Sequence, residues 1–262
     1  MFSRGASTPC VARTTVQTQH LLQMVPFSEE MKNAIIEVGF RVMKRLIVLE
    51  DVRGRISKQI DSAKTAIAKD GVQLQAGGQI ADVPAVVDLD QDAERFLYEA
   101  KLALRDIAGL FLPLHGKEFN HKYQKVRAWA ATTFGTDDAF VKALCVDAPW
   151  IERVINMRNA VEHPADPHAP LTIRNFILRG AGPPWVVDEP SWSMKGEQPS
   201  FLLQDMSWIA NNLLTFFEDI LIDGLHRQSQ FPLTIVEIPE AERDPACPIR
   251  LRATIPIKLP ES

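Results

Sequence analysis

Residues 148–164, APWIERVINMRNAVEHP, decide how the rest of the chain is assembled. Ile151, Val154, Ile155 and Val161 recur at helical spacing and define one side of a helix that should pack inward. Arg158 falls in the middle of that side, within about 20° of the direction of Ile151 at about 100° per residue. A guanidinium keeps its charge in a protein. Buried without a partner it would cost several kcal/mol, so an acidic side chain or an anionic ligand should stand opposite it. His163 follows close behind, and on an ideal helix its side chain would diverge from that of Arg158 by about 140°. Pro164 disfavours helical backbone at the residue before it, so His163 should end the helix and swing away from that direction.

Upstream lie two long helical stretches. Ser28 followed by Glu29 and Glu30 makes a capped, acidic helix start, and Ile35, Val38, Val42, Leu46 and Leu49 carry the pattern on toward Lys69. From Arg41 to Lys69, eight Lys or Arg stand against the three acids Glu50, Asp51 and Asp61. Such a run is either the solvated face of a long helix or a surface that tracks RNA. Residues 71–84, with Gly77-Gly78, should be a loop. A second helix is expected from about Asp88, with Leu97, Ala100, Leu104, Ile107 and Phe111 as its buried stripe and Pro113 and Gly116 closing it. Its acids Asp92, Glu94, Glu99 and Asp106 are structural candidates for the partner of Arg158.

Residues 119–134 read as another helix, with Val126, Trp129 and Ala130 inward and a cluster of His121, Lys122, Lys125 and Arg127. Thr136 or Asp137 should cap a short helix through Cys145, and Asp147 the motif helix, with Pro149 in its first turn. Downstream, Pro164, Pro167 and Pro170 make an extended linker. Residues 171–178 alternate as a strand, 180–184 form a turn, 185–187 a partner strand and 190–199 a loop, together a β-hairpin insertion at about 171–200. Helical spacing resumes over 201–226, with Leu203, Met206, Ile209, Leu213, Phe216, Phe217 and Ile220 on a wide apolar face. Two short strands, 233–238 and 249–257, form the tail. The fold class is mainly α (α+β): an N-terminal arm 1–27, a helical domain 28–228 carrying the insertion, and a β tail 229–262 packed on the same domain.

Arg158 and Asn159, three residues, then His163 at a helix end resemble the signature of the HEPN superfamily of all-helical RNases and nucleotide-associated modules. Two long helical stretches before the motif and one after it follow the order that a HEPN-like up-and-down bundle needs. The resemblance covers residues 28–228 with an insertion. It implies a metal-independent endoribonuclease of the toxin or antiviral-defence type, with no cofactor and with products ending in a 2′,3′-cyclic phosphate. It also implies a two-fold homodimer whose two motif copies face one cleft. In that chemistry Arg158 holds the scissile phosphate and offsets its developing charge. His163 is general base or acid on the ribose 2′-hydroxyl or the leaving oxygen, because imidazole titrates near neutral pH. Asn159 orients the motif. Glu162 either tunes His163 or pairs with Arg158 one turn away. RNA would be the partner, met by Lys122, Lys125 and Arg127, and an antitoxin or other regulatory protein would restrain the enzyme.

The residues themselves leave other readings open. If Arg158 pairs with an acid of the second helix and the helix dipole accounts for His163, the chain is a non-catalytic binding module for a nucleotide or partner protein, or an interaction protein with no ligand. His163, Asp166 and His168 are near in sequence, but their spacing fits no helical pair of zinc ligands and no cysteine is close. No metal is therefore expected.

Composition narrows the field. A formal net charge of -4 gives no global attraction to nucleic acid, so RNA contact requires a local basic face. Cys10, Cys145 and Cys247 are scattered, which points to free thiols, a reducing compartment and a cytoplasmic protein; Cys145 is expected as a buried, inert thiol. The longest apolar run, 213–225, is interrupted by Glu218, Asp219 and Asp223, which excludes a membrane span. No GxSxG, Walker A, GxGxxG or HExxH pattern occurs, which argues against the familiar hydrolases, kinases, dehydrogenases and zincins. Before Glu29 there is no acidic residue, a bias found in transit peptides; without a clear amphipathic helix, a flexible arm or short edge strand is expected.

Overall fold

A computed structural model describes residues 4–71, 85–119, 122–163, 171–179, 186–230 and 232–254. The protein is mainly α (α+β), with long helices and a few small antiparallel sheets. It divides into two compact units, one of residues 1–47, 102–151 and 211–262 and the other of residues 48–101 and 152–210. Four long helices contribute a stretch to each unit: α3 (Glu29–Asp70), α4 (Leu89–Ala108), α7 (Ala139–Glu162) and α8 (Leu202–Gln228). Among the described residues, no helix is long and apolar enough to cross a membrane.

In the first unit the N-terminal segment is helical, which corrects the expected arm or edge strand. It runs as α1 (Pro9–Val11), a π-helical turn (Ala12–Val16) and α2 (Gln17–Gln23). Its inward side mixes apolar Cys10, Ala12, Leu21 and Leu22 with buried Thr14, Gln17 and Thr18. The Thr14 and Thr15 hydroxyls donate to the carbonyls of Cys10 and Val11, at 2.5 and 2.6 Å, so these polar side chains are satisfied by their own helix. Gly39 of α3 lets this turn approach: a Cβ there would lie 2.5 Å from the Thr14 carbonyl oxygen. Ser28 caps α3 as expected, its Oγ accepting from the Met31 N–H at 3.2 Å.

The rest of this unit comprises the end of α4, α5 (Phe111–His115), α6 (Tyr123–Phe134), the first part of α7, the end of α8, and the tail hairpin of β6 (Thr234–Glu237) with β7 (Leu251–Thr254). Gly116, at φ 65°, terminates α5 in the left-handed conformation that glycine tolerates. Glu218 is wholly buried on α8, yet well supplied with donors. Arg13 reaches it through Nε and Nη2 at 2.8 and 2.5 Å, Gln17 through Nε2 at 2.7 Å and Arg250 through Nη1 at 3.0 Å. The side-chain oxygen Oε1 of Gln17 accepts the backbone N–H groups of Arg250 and Leu251, both at 2.7 Å.

Beside this cluster, burial raises Asp219 to about 6, helped by the like charges of Asp147 and Glu218 and opposed by Arg250 and Arg13. The folded state therefore holds a proton on Asp219 that the unfolded chain releases near pH 4. Stability from this group falls as pH rises from about 4 to about 6 and is flat above. Asp219→Asn should accordingly raise stability by about 1–2 kcal/mol at pH 7.5, a figure discounted for partial exposure, and have little effect at pH 4. Urea titrations of both proteins at the two pH values check this. A variant no more stable than the parent at pH 7.5 would contradict it.

In the second unit, β1 (Leu171–Arg174), β4 (Ser191–Met194) and β5 (Ser200–Phe201) form an antiparallel sheet in the order β1-β4-β5, and β2 (Ile177–Arg179) pairs with β3 (Val186–Asp188). The insertion is therefore more than one hairpin. Residues 190–199, expected as a loop, contain β4, whose Trp192 is 1% exposed and contacts Phe96 of α4. One carboxylate fixes the sheet: Asp205 Oδ2 accepts from Trp192 Nε1 at 2.6 Å, Arg153 Nη1 at 2.8 Å and Ser200 Oγ at 2.9 Å. Asn175 brackets Val86 in strand-like fashion, accepting its N–H at 2.9 Å and donating to its carbonyl at 2.8 Å. The expected turn at 180–184 and most of the expected loop at 71–84 lie outside the described residues.

Candidate functional site

The helix bearing the motif is longer than its sequence suggests. Asp147 does not cap it, because α7 is continuous from Ala139 and carries Pro149 in its interior. The Asp147 carboxylate instead accepts from Trp150 Nε1 at 2.8 Å. A proline at that point removes one ladder bond, and buried Leu144, Ala148, Trp150 and Ile151 on both sides of it hold the helix together. The inward face also differs from the expected one. Ile151 and Val154 are buried with Met157 and Ala160, whereas Ile155 and Val161 are only half-buried. Cys145 is exposed rather than buried.

Arg158 and Asn159 sit in the last turns of α7, in the second unit, and His163 is the first residue beyond the helix, its N–H donating to the Asn159 carbonyl at 2.9 Å. The charge opposite Arg158 is Glu162, on the same helix and one turn on. Of the acids expected from α4, Asp92 is paired with Arg55, and Asp106 receives Arg45 at 3.2 Å and Arg41 at 4.0 Å. In the basic run of α3, Arg41 and Arg45 share Asp106, Arg55 is paired with Asp92 and Lys64 with Glu189.

The guanidinium of Arg158 lies 5.4 Å from the ring centroid of Tyr98, within cation–π range. Lys101, one turn along α4 from Tyr98, donates from Nζ to Asn159 Oδ1 at 2.8 Å and stands 4.0 Å from Glu162 Oε2. Burial lowers the pKa of Lys101, the field of Arg158 lowers it further, and Glu162 works the other way. Arg158, Glu162 and Tyr98 line a surface groove of about 340 Å³ with Gln91, Glu94 and Arg95. A second hollow of about 460 Å³ shares Glu94 and Val161 with it and extends to Leu171, Thr172 and Ile173 of β1. His163 is exposed and lines neither hollow.

Of the expected site residues, Arg158 and Asn159 are thus brought together, with Lys101 and Tyr98 as companions that the sequence did not single out. Their only sequence signal is a tyrosine and a lysine three positions apart on the polar face of α4. Lys122 and Lys125 are exposed and Arg127 half-buried at the start of α6, in the first unit. Asp166, His168 and His121 lie outside the described residues.

The first unit also encloses an imidazole. His115 is ringed by Phe111, Trp129, Phe134 and Phe140, with Nε2 3.8 Å from Asp223 Oδ2 and no hydrogen-bond partner among the described residues. Burial lowers its pKa, Asp223 opposes that shift and Arg227 adds to it, which favours a neutral ring packed as an aromatic. Comparison with known protein families, with curated proteins and with solved structures finds no match to this chain.

Proposed function

We propose that the chain is a metal-independent endoribonuclease of the HEPN-like type that acts as a homodimer. The observation that carries this reading is the convergence of the Arg158 guanidinium, the Asn159 amide and the Lys101 ammonium at a helix end beside an open groove with an accessible aromatic ring. A phosphodiester entering the groove meets the Arg158 guanidinium, with the Lys101 ammonium 4.0 Å from the Glu162 carboxylate that lines it, and a base has Tyr98, 46% exposed, to stack on. His163, directly after the helix, supplies the proton-transfer group. Because it does not line the groove of its own chain, a second copy of the motif is needed to complete the cleft. RNA is the partner in this reading, and restraint by an antitoxin or other regulatory protein goes with it.

The test is incubation of the full chain with total RNA in EDTA, alongside Arg158→Ala and His163→Ala. Cleavage by the parent alone, leaving 2′,3′-cyclic phosphate ends, supports the proposal. Cleavage retained by both variants removes the motif from the chemistry. One observation favours a second reading, a non-catalytic module that binds a nucleotide or a partner protein: Glu162 already neutralises Arg158 within one chain. RNA bound and left intact by the parent would select it.

A further inference from the structure

We infer that Arg158 and Lys101 form a two-cation seat for a phosphoryl anion, and that Glu162 is a placeholder in that seat which the anion displaces. The inference deepens the endoribonuclease reading and rests on it only where the anion is taken to be an RNA phosphodiester.

The two cations share one carboxylate. Arg158 pairs with Glu162, and Lys101 reaches the same carboxylate at 4.0 Å while its short bond goes to a neutral amide oxygen of Asn159. The cluster is therefore one positive charge in excess. Exposure shows which member is free to move: the side chains of Arg158 and Lys101 are 16% and 24% exposed, whereas Glu162 is 44% exposed. A carboxylate one helical turn from its cation holds it only weakly at such a site and is readily exchanged. A phosphoryl group offers more oxygens and can accept two parallel bonds from a guanidinium while also taking the ammonium. Glu94 and Arg95, which line the same groove, carry opposite charges and leave the balance unchanged. Burial and the nearby guanidinium already disfavour the charged form of Lys101, a repulsion that an incoming anion relieves.

Calorimetric titration of the full chain tests this with two probes: inorganic phosphate, and a short RNA oligonucleotide made uncleavable by 2′-deoxy substitution. Glu162→Gln keeps the size of the side chain and removes its charge, so it should tighten phosphate binding about tenfold. Adding Lys101→Gln, which keeps a donor for Asn159, should abolish that gain. A Glu162→Gln variant that binds phosphate no better than the parent overturns the inference, as does a gain that survives in the double variant. If the double variant does not fold, the single variant decides alone. A gain with both probes marks RNA as the source of the phosphoryl group, and a gain with phosphate alone marks a small phosphate. The gain does not require His163, so it can stand while RNA remains uncut in EDTA, an outcome that removes the endoribonuclease reading and keeps the seat.

Discussion

Glu218→Ala is expected to lower the stability of the chain by about 3–5 kcal/mol, the range found when one member of a buried charge cluster is removed. The carboxylate is wholly buried and takes four donor contacts, two from Arg13 and one each from Gln17 and Arg250. Without it, Arg13, 13% exposed, loses both of these bonds, and Arg250, 23% exposed, is left with the more exposed Glu237, 3.0 Å from its Nη2. Arg250→Ala should cost much less, about 1–2 kcal/mol, because Glu218 keeps Arg13 and Gln17. Urea denaturation of the parent and both variants checks the order. A Glu218→Ala protein within 1 kcal/mol of the parent, or less affected than Arg250→Ala, would show that the cluster does not hold this unit together.

The largest effect on activity is expected at His163. If it moves the proton, His163→Ala should slow RNA cleavage in EDTA by about 10²–10⁴-fold while leaving RNA affinity within a small factor, since the side chain is exposed and lines no groove. On the proposed endoribonuclease reading, in which the guanidinium meets the phosphate in both the ground state and the transition state, Arg158→Ala should slow cleavage by about 10²–10³-fold and weaken binding as well. Single-turnover rates and filter binding separate the two. Equal losses of affinity in both variants, with no separate loss of rate, would mean that the motif binds and does not cut.

The positions of the long helices were legible because their inward faces are almost purely apolar. Leu97, Ala100, Leu104 and Ile107 of α4 are buried as their spacing predicts, and so are Met206, Ile209, Leu213, Phe216, Phe217 and Ile220 of α8, whose Leu203 is half-buried; Phe111, expected on the same helix as Leu97, is buried on α5, because α4 ends at Ala108. The N-terminal helices were not legible because half of their inward residues are polar, and hydrophobic periodicity is blind to a Thr bonded to its own helix or a Gln bonded to residues far along the chain. Glu218 interrupts an apolar run in the sequence, and its burial is not legible there because its donors come from residues 13, 17 and 250, far away in the chain. At the candidate site, the helix end, Arg158, Asn159 and the local partner Glu162 could be read from spacing. Lys101 could not, since its bond to Asn159 spans 58 residues and depends on how α4 and α7 are rotated about their own axes.

Gln17 shows how little chemistry separates an attached tail from a repelled one. Its carboxamide has a direction: the nitrogen end addresses Glu218, and the oxygen end receives the amides of residues 250 and 251. Deamidation, which exchanges that NH₂ for an oxygen, would set two carboxylates 2.7 Å apart where a bond now exists. Ageing at this one amide would thus turn the join between the first helices and the last strand against itself, with no change in the size of the side chain.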